Sequence, residues 1–179
     1  GYSNVPNVPG LQEAGFLTSE SLFGDKFPKQ PYKSLAVLGA GPIGVEFAHV
    51  FASAGTDVTI LQHNVRLVPK EDADMSEHLL NNYRERGINV ILNQDTVEIR
   101  QEEGLKVVVT KDRTTGEVTE TKVEEILVAA GIRPAVEELH LENTGIETWP
   151  KGWCKLRSRY YCAQSLLRNK RRRLPLGTL

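Results

Sequence analysis

The residues best able to do chemistry sit in one short run, Gly39-Ala40-Gly41-Pro42-Ile43-Gly44, which spells GxGxxG. It stands between an apolar run ending at Leu38 and a segment of helical periodicity, and that context gives the spacing its meaning. Gly39 would permit a tight turn, Gly41 would let the backbone approach a pyrophosphate, and Gly44 would bring helix and strand together. Free amides and the positive end of the helix dipole then face the anion. Pro42, at the first helical position, gives up an amide that has no partner inside the helix. Ala40, Ile43 and Val45 complete this stretch as cofactor-binding candidates. The alternative is a glycine turn used only for packing.

A dinucleotide site of this kind carries, about 20 positions further on, an acidic residue that bonds the adenosine ribose and selects NAD. This chain has Gln62 there, with His63 and Arg66 just beyond. A glutamine can reach a ribose hydroxyl, but it lacks the charge that strengthens the bond and repels a 2'-phosphate. His63 and Arg66 could meet such a phosphate or could be solvated loop residues. NAD and NADP both stay open, with a lean toward NADP.

The elements that must position these residues follow a regular α/β alternation. Ser34 to Leu38 reads as a strand buried on both faces of a parallel sheet. Pro42 to Ala54 reads as a helix packed on it, with Val45, Ala48 or His49, and Ala52 at helical spacing beside a second row of Phe47, Val50 and Phe51. Asp57 to Leu61 supplies the second strand. A helix from about Asp72 to Arg86 presents Met75, Leu79 and Tyr83 on one face, and Ile88, Val90 and Leu92 alternate into a third strand. Then the rhythm changes: Val97 to Arg100, Leu105 to Thr110 and Val118 to Lys122, joined by tight turns, predict a three-stranded antiparallel meander. Ile126 to Ala130 returns to the buried type before Gly131. The expected fold is α/β, a Rossmann-like parallel sheet with helices and the meander as crossover. Residues 1–32 hold Pro6, Pro9, Pro28 and Pro31 and read as an extended linker with turns.

The run Leu35 to Ala48, Gly55 with Val58-Thr59-Ile60-Leu61, the meander, and Ile126-Leu127-Val128-Ala129-Ala130-Gly131-Ile132-Arg133-Pro134 come in the order of a known family. They resemble the nicotinamide-nucleotide domain of the flavoprotein pyridine nucleotide-disulfide oxidoreductases, which include dihydrolipoamide dehydrogenase, mercuric reductase and glutathione reductase. Val5 to Leu11 is similar to the segment leaving that family's first flavin-binding half. The resemblance covers residues 1 to about 148. It implies that Glu46 approaches the nicotinamide and the flavin, that Ala130 and Gly131 line the nicotinamide pocket, and that the backbone at Val97 passes the adenine. Val97 reads equally well as ordinary strand core, and Glu46 as a solvated helix carboxylate.

The resemblance also implies parts this sequence does not contain: an amino-terminal flavin GxGxxG, a redox-active cysteine pair with four residues between them, and a carboxy-terminal histidine-glutamate segment. Cys154 and Cys162 lie in the wrong place and read as free thiols. FAD is therefore expected only in a complete parent, a homodimer with FAD-binding and dimerisation domains. Without a flavin or disulfide to accept the hydride, this stretch alone is not expected to turn over. The competing reading is a non-catalytic module that senses NAD(P) for a partner.

Composition narrows the field. Hydrophobic residues make up 40% and charged residues 25% of the 179, inside the globular range. No apolar run is long enough for a membrane span and no secretory leader is visible, which points to a cytoplasmic protein with no membrane partner. From Lys151 onward Lys and Arg recur without Asp or Glu, so all 23 acidic residues lie before it. Three regions result: a linker over 1–32, a nucleotide domain over 33–148, and an atypical basic tail over 149–179. Where the family expects an Ala-Ala-Gly-Asp segment against the flavin, the tail ends Leu174-Pro175-Leu176-Gly177-Thr178-Leu179, which a shifted reading frame would convert; sequencing the transcript checks this. Arg168 and Lys170 to Arg173 read as a solvated chain end rather than a nucleic-acid site. His49, His78 and His140 have no partners at metal-ligand spacing.

Overall fold

The computed structural model describes residues 1–24, 26–149 and 153–154. Apart from Trp149, Trp153 and Cys154, the basic tail lies outside the described residues, and Cys162 with it. The chain divides into two compact units, Tyr2–Ile132 and a smaller one made of Gly1 with the residues from Arg133 onward. In the smaller unit two single-turn helices, Glu137–Leu139 and Leu141–Asn143, precede a bridge between Thr148 and Cys154.

The larger unit runs β1 (Tyr2–Ser3), α1 (Leu11–Ala14), β2 (Leu17–Thr18), α2 (Ser19–Phe23), β3 (Ser34–Leu38), α3 (Pro42–Ser53), β4 (Asp57–Leu61), α4 (Ala73–Glu85), β5 (Asn89–Ile91), β6 (Gln94–Glu102), β7 (Leu105–Asp112), β8 (Val118–Val123) and β9 (Glu125–Val128). Five strands form one sheet in the order β2-β9-β3-β4-β5, with each adjacent pair parallel. The other three form an antiparallel sheet, β6-β7-β8. The parallel sheet, its helices and the meander crossover agree with the pattern read from the sequence.

The unalternating apolar strands are explained by what covers them. Leu35 and Val37 of β3 point into one core with Val45, Ala48 and Phe51 of α3 and Tyr83 of α4. Ala36 and Leu38 point into a second core with Ile99, Val108 and Val123 of the meander and with Leu11 and Ala14 of α1. Helices cover one face and the meander with α1 covers the other, so Leu35 to Leu38 are all apolar.

Three local expectations differ from the structure. The amino-terminal stretch is not an unpacked linker: Leu11, Leu17 and Leu22 are buried, Leu17 pairs in register with Leu127, and Thr18 caps α2 by accepting from the Ser21 amide at 3.1 Å. The prolines set turns between short packed elements, and sequence periodicity is silent over elements of two to five residues. On α4, Met75 is 58% exposed while Ser76 and Tyr83 are buried, so the stripe turned inward is not the whole of the expected row. Val50 of α3 faces outward too.

Candidate functional site

The strand order places the first βα turn at the topological switch point. Chain order runs outward from β3 to β4 and β5 on one side, whereas β9, added last, lies on the other. The crevice beyond the carboxyl ends of β3 and β9 is where open α/β sheets bind ligands. Leu38 pairs with Val128, so the glycine turn after β3 and Ala129-Ala130-Gly131 after β9 emerge side by side. The Ala129 amide donates to the Leu38 carbonyl at 2.9 Å and the Gly39 amide to that of Leu61 at 2.9 Å.

Each glycine of the turn meets a different surrounding. Gly39 has φ +105°, and a Cβ there would lie 2.6 Å from the Ala129 carbonyl oxygen. A Cβ on Gly44 would lie 2.1 Å from the Gly39 oxygen, where α3 leans on the end of its own strand. Gly41 is the exception: its φ is −73°, which any residue adopts, and a Cβ would have nothing within 4 Å. Neither backbone conformation nor internal packing requires glycine at 41. The amides of Gly41, Ile43 and Gly44 find no acceptor among the described residues. They stand at the amino end of a 12-residue helix whose N-cap is Gly41 and which has Pro42 at its start, an arrangement suited to an anion.

The remaining expected residues separate. Glu46 is exposed just past the first turn of α3, while Val45 is turned into the core and its carbonyl accepts from the Tyr83 hydroxyl at 2.7 Å. Burial, with Glu46 second, pushes the Tyr83 phenol above its ordinary value, so it remains a neutral donor. Ala130 and Gly131 are exposed at the end of β9. Val97 falls in a bulge of β6, where the register with β7 shifts between Thr96 and Glu98, and it is 39% exposed. Bulges re-aim backbone groups beside sites.

Beyond β4 the picture changes most. Gln62 is buried, with its side chain inside the protein: the Ala40 amide donates to Oε1 at 3.2 Å and Nε2 donates to the Arg66 carbonyl at 3.1 Å. His63 is exposed, with Nδ1 2.6 Å from Asp95 Oδ1, and Arg66 donates to the Pro69 carbonyl at 3.3 Å. Arg113, from the β7–β8 hairpin, donates to the His63 carbonyl at 3.3 Å and lies 3.6 Å from Asp95.

Sequence reasoning missed Asn4, Asp95 and Arg113. The Asn4 amide donates to the Gly131 carbonyl at 2.9 Å, and its Nδ2 donates to the Ala130 carbonyl, 126 residues away in the chain, at 3.3 Å. Nothing local marks that position. Opposite charges on Asp95 and Arg113 were the signal available, but charge alone cannot show that a strand and a hairpin turn bring them to the loop after β4. No group of His, Cys, Asp and Glu among the described residues could hold a metal ion.

The comparisons with known proteins agree with this geometry. The profile of the pyridine nucleotide-disulphide oxidoreductase family matches residues 1–161. The chain is 33% identical over 150 residues to a mercuric reductase of Bacillus cereus, covering 84% of this chain and 23% of that protein. It is 38% identical over 146 residues to a dihydrolipoyl dehydrogenase of Mycobacterium tuberculosis, covering 80% and 30%. Among solved structures, the flavoprotein disulfide reductase RclA of Escherichia coli superimposes with a TM-score of 0.73 at 32% identity, over 90% of this chain and 35% of that one. The chain thus spans about a quarter to a third of the length of these relatives. With the family's fold, glycine turn and order of elements all in place, the chain belongs to the pyridine nucleotide-disulphide oxidoreductase family.

Proposed function

We propose that this chain is the pyridine-nucleotide-binding domain of a FAD-dependent oxidoreductase acting on a disulfide or a related acceptor, and that it binds NAD(P)H at the turn after β3. The observation that carries the reading is Gly41: a glycine whose φ is ordinary and whose Cβ position is empty, in a turn whose Gly41, Ile43 and Gly44 amides find no acceptor among the described residues. A pyrophosphate placed there satisfies all three amides, and its oxygens use the room a side chain would take.

Ala130 and Gly131, exposed beside the turn, would line the nicotinamide end. Glu46, on the outer side of α3, would approach the same ring, and the Val97 bulge would pass the adenine. His63 and Arg66 support NADP(H), since no carboxylate stands at position 62. FAD would supply the acceptor for the hydride, held by parts of a longer, homodimeric parent; the one GxGxxG of this chain cradles one pyrophosphate. A cytoplasmic setting fits the pair of cysteines with no framework spacing.

Calorimetric titration of the purified chain with NADH and with NADPH tests the reading. Saturable binding of one nucleotide per chain, with no flavin carried through purification, is expected. Absence of binding for both nucleotides overturns it.

A further inference from the structure

Gln62 occupies the place from which a ribose is read, yet its side chain is spent inside the protein. The Ala40 amide can only donate and the Arg66 carbonyl can only accept, so the two partners fix which end of the glutamine amide is oxygen and which is nitrogen. Both bonds are made in a residue that is 4% exposed. Its own backbone is engaged as well: the Gln62 amide donates to the Ile91 carbonyl at 2.9 Å, and the Gln62 carbonyl accepts from the Gln94 amide at 2.9 Å.

Ala40 is held a second time. Its carbonyl accepts from the Val68 amide at 2.8 Å. Val68 has φ +37°, a conformation that β-branched residues adopt only when their surroundings impose it. Those surroundings are visible: Leu67 is fully buried before it, and the Glu71 amide donates to the Val68 carbonyl at 2.9 Å. The strained backbone presents the Val68 amide to Ala40.

The geometry of one peptide unit turns this into function. In a trans peptide the C=O and the N–H point in opposite directions, and no peptide bond among the described residues is cis. The Ala40 carbonyl and the Gly41 amide belong to the same unit. Drawing that carbonyl toward Val68 therefore aims the Gly41 amide the opposite way, out of the loop. The preceding unit is fixed likewise, with its amide on Gln62 and its carbonyl, Gly39 O, against Gly44.

We propose that Gln62 is a positioning residue rather than a ribose ligand: with the Val68 amide it holds the Ala40 peptide units from both sides and sets the anion-binding orientation of the glycine turn. The proposal rests on the nucleotide-binding reading above. A residue that orients the pyrophosphate turn affects NADH and NADPH alike, because both carry the same pyrophosphate. A residue that reads the ribose affects them differently, because they differ only at the 2'-position.

The test is titration of the wild type, Gln62→Met and Gln62→Glu with NADH and NADPH, at a temperature where near-ultraviolet circular dichroism shows each variant folded. Gln62→Met removes both bonds at similar length; Gln62→Glu is isosteric, so it keeps the acceptor for Ala40 but sets a carboxylate against the Arg66 carbonyl. We expect Gln62→Met to weaken both nucleotides by the same factor, about tenfold, and Gln62→Glu to weaken both. The Gly41 amide resonance of the ligand-free protein should shift in both variants. Wild-type affinity of folded Gln62→Met for both nucleotides, or tighter NADH binding by Gln62→Glu, overturns the proposal while leaving the nucleotide site intact. A wild type that binds neither nucleotide overturns the site reading itself, and the proposal with it.

Discussion

Single residues in the glycine turn divide into those that serve the fold and one that does not. Gly44→Ala would drive a Cβ to within 2.1 Å of a backbone oxygen, so α3 must move off the strand. Overpacking of this kind costs roughly 1–3 kcal/mol, and we expect the melting temperature to drop by several degrees on a thermal scan. Tyr83→Phe removes a buried bond to the Val45 carbonyl; it should cost about 1 kcal/mol in urea unfolding, with the fold retained. The different tasks of Gly39 and Gly44 were legible from the spacing alone, since strand, glycine and helix dictate them. The inward turn of Gln62 was not. It depends on the Ala40 amide, 22 residues earlier in the chain, and on the Arg66 carbonyl, backbone groups that carry no signal in a pattern of residue types.

Elements are joined by bonds that follow from the meander's position. Lys106 of β7 is ion-paired with Glu125 of β9 and donates to the Gly15 carbonyl at 2.9 Å, with side chains only 12% and 17% exposed. Breaking a buried pair from one side costs roughly 3–5 kcal/mol. Lys106→Met should therefore destabilise markedly in chemical denaturation, and adding Glu125→Leu should recover much of the loss. The β7–β8 hairpin tip has its own charge. Asp112 accepts from the Thr115 and Thr114 amides, each at 2.8 Å, and these bonds hold its carboxyl below the ordinary value. A depressed folded pKa contributes stability above the unfolded value and loses it as pH falls through the folded one. The Thr114 and Thr115 amide resonances should therefore titrate with a midpoint below that of a free aspartate, and Asp112→Asn should abolish the titration. The switch from helical to strand rhythm after Leu92 made the meander legible. The extent of β6 was not: it begins at Gln94, because Gln94 and Asp95 are polar strand residues held by partners on other strands.

At the scale of the whole molecule, the amino-terminal stretch belongs to the sheet. β2 pairs with β9, and Leu11 and Ala14 close the core under the meander. Removing residues 1–24 should thus lower stability or solubility markedly, whereas excision of a mere linker would leave the melting temperature unchanged. Composition and the proline count pointed the other way, because a two-strand pairing of Leu17 and Thr18 rests on a contact 110 residues distant in the chain, from Leu17 to Leu127. The central claim, that the turn after β3 holds a nucleotide pyrophosphate, depends on Gly41 being free of any duty to the fold. The direct measurement is calorimetric titration of Gly41→Ala with NADH and NADPH beside a thermal scan. With φ at −73° and open space at the Cβ, the account predicts a melting temperature lowered by no more than a few degrees, the cost of alanine at the N-cap of α3. It also predicts affinity weakened by roughly 100-fold or more, the loss of two charge-assisted bonds of about 1.5–3 kcal/mol each. A Gly41→Ala chain that binds both nucleotides as tightly as the wild type would contradict it.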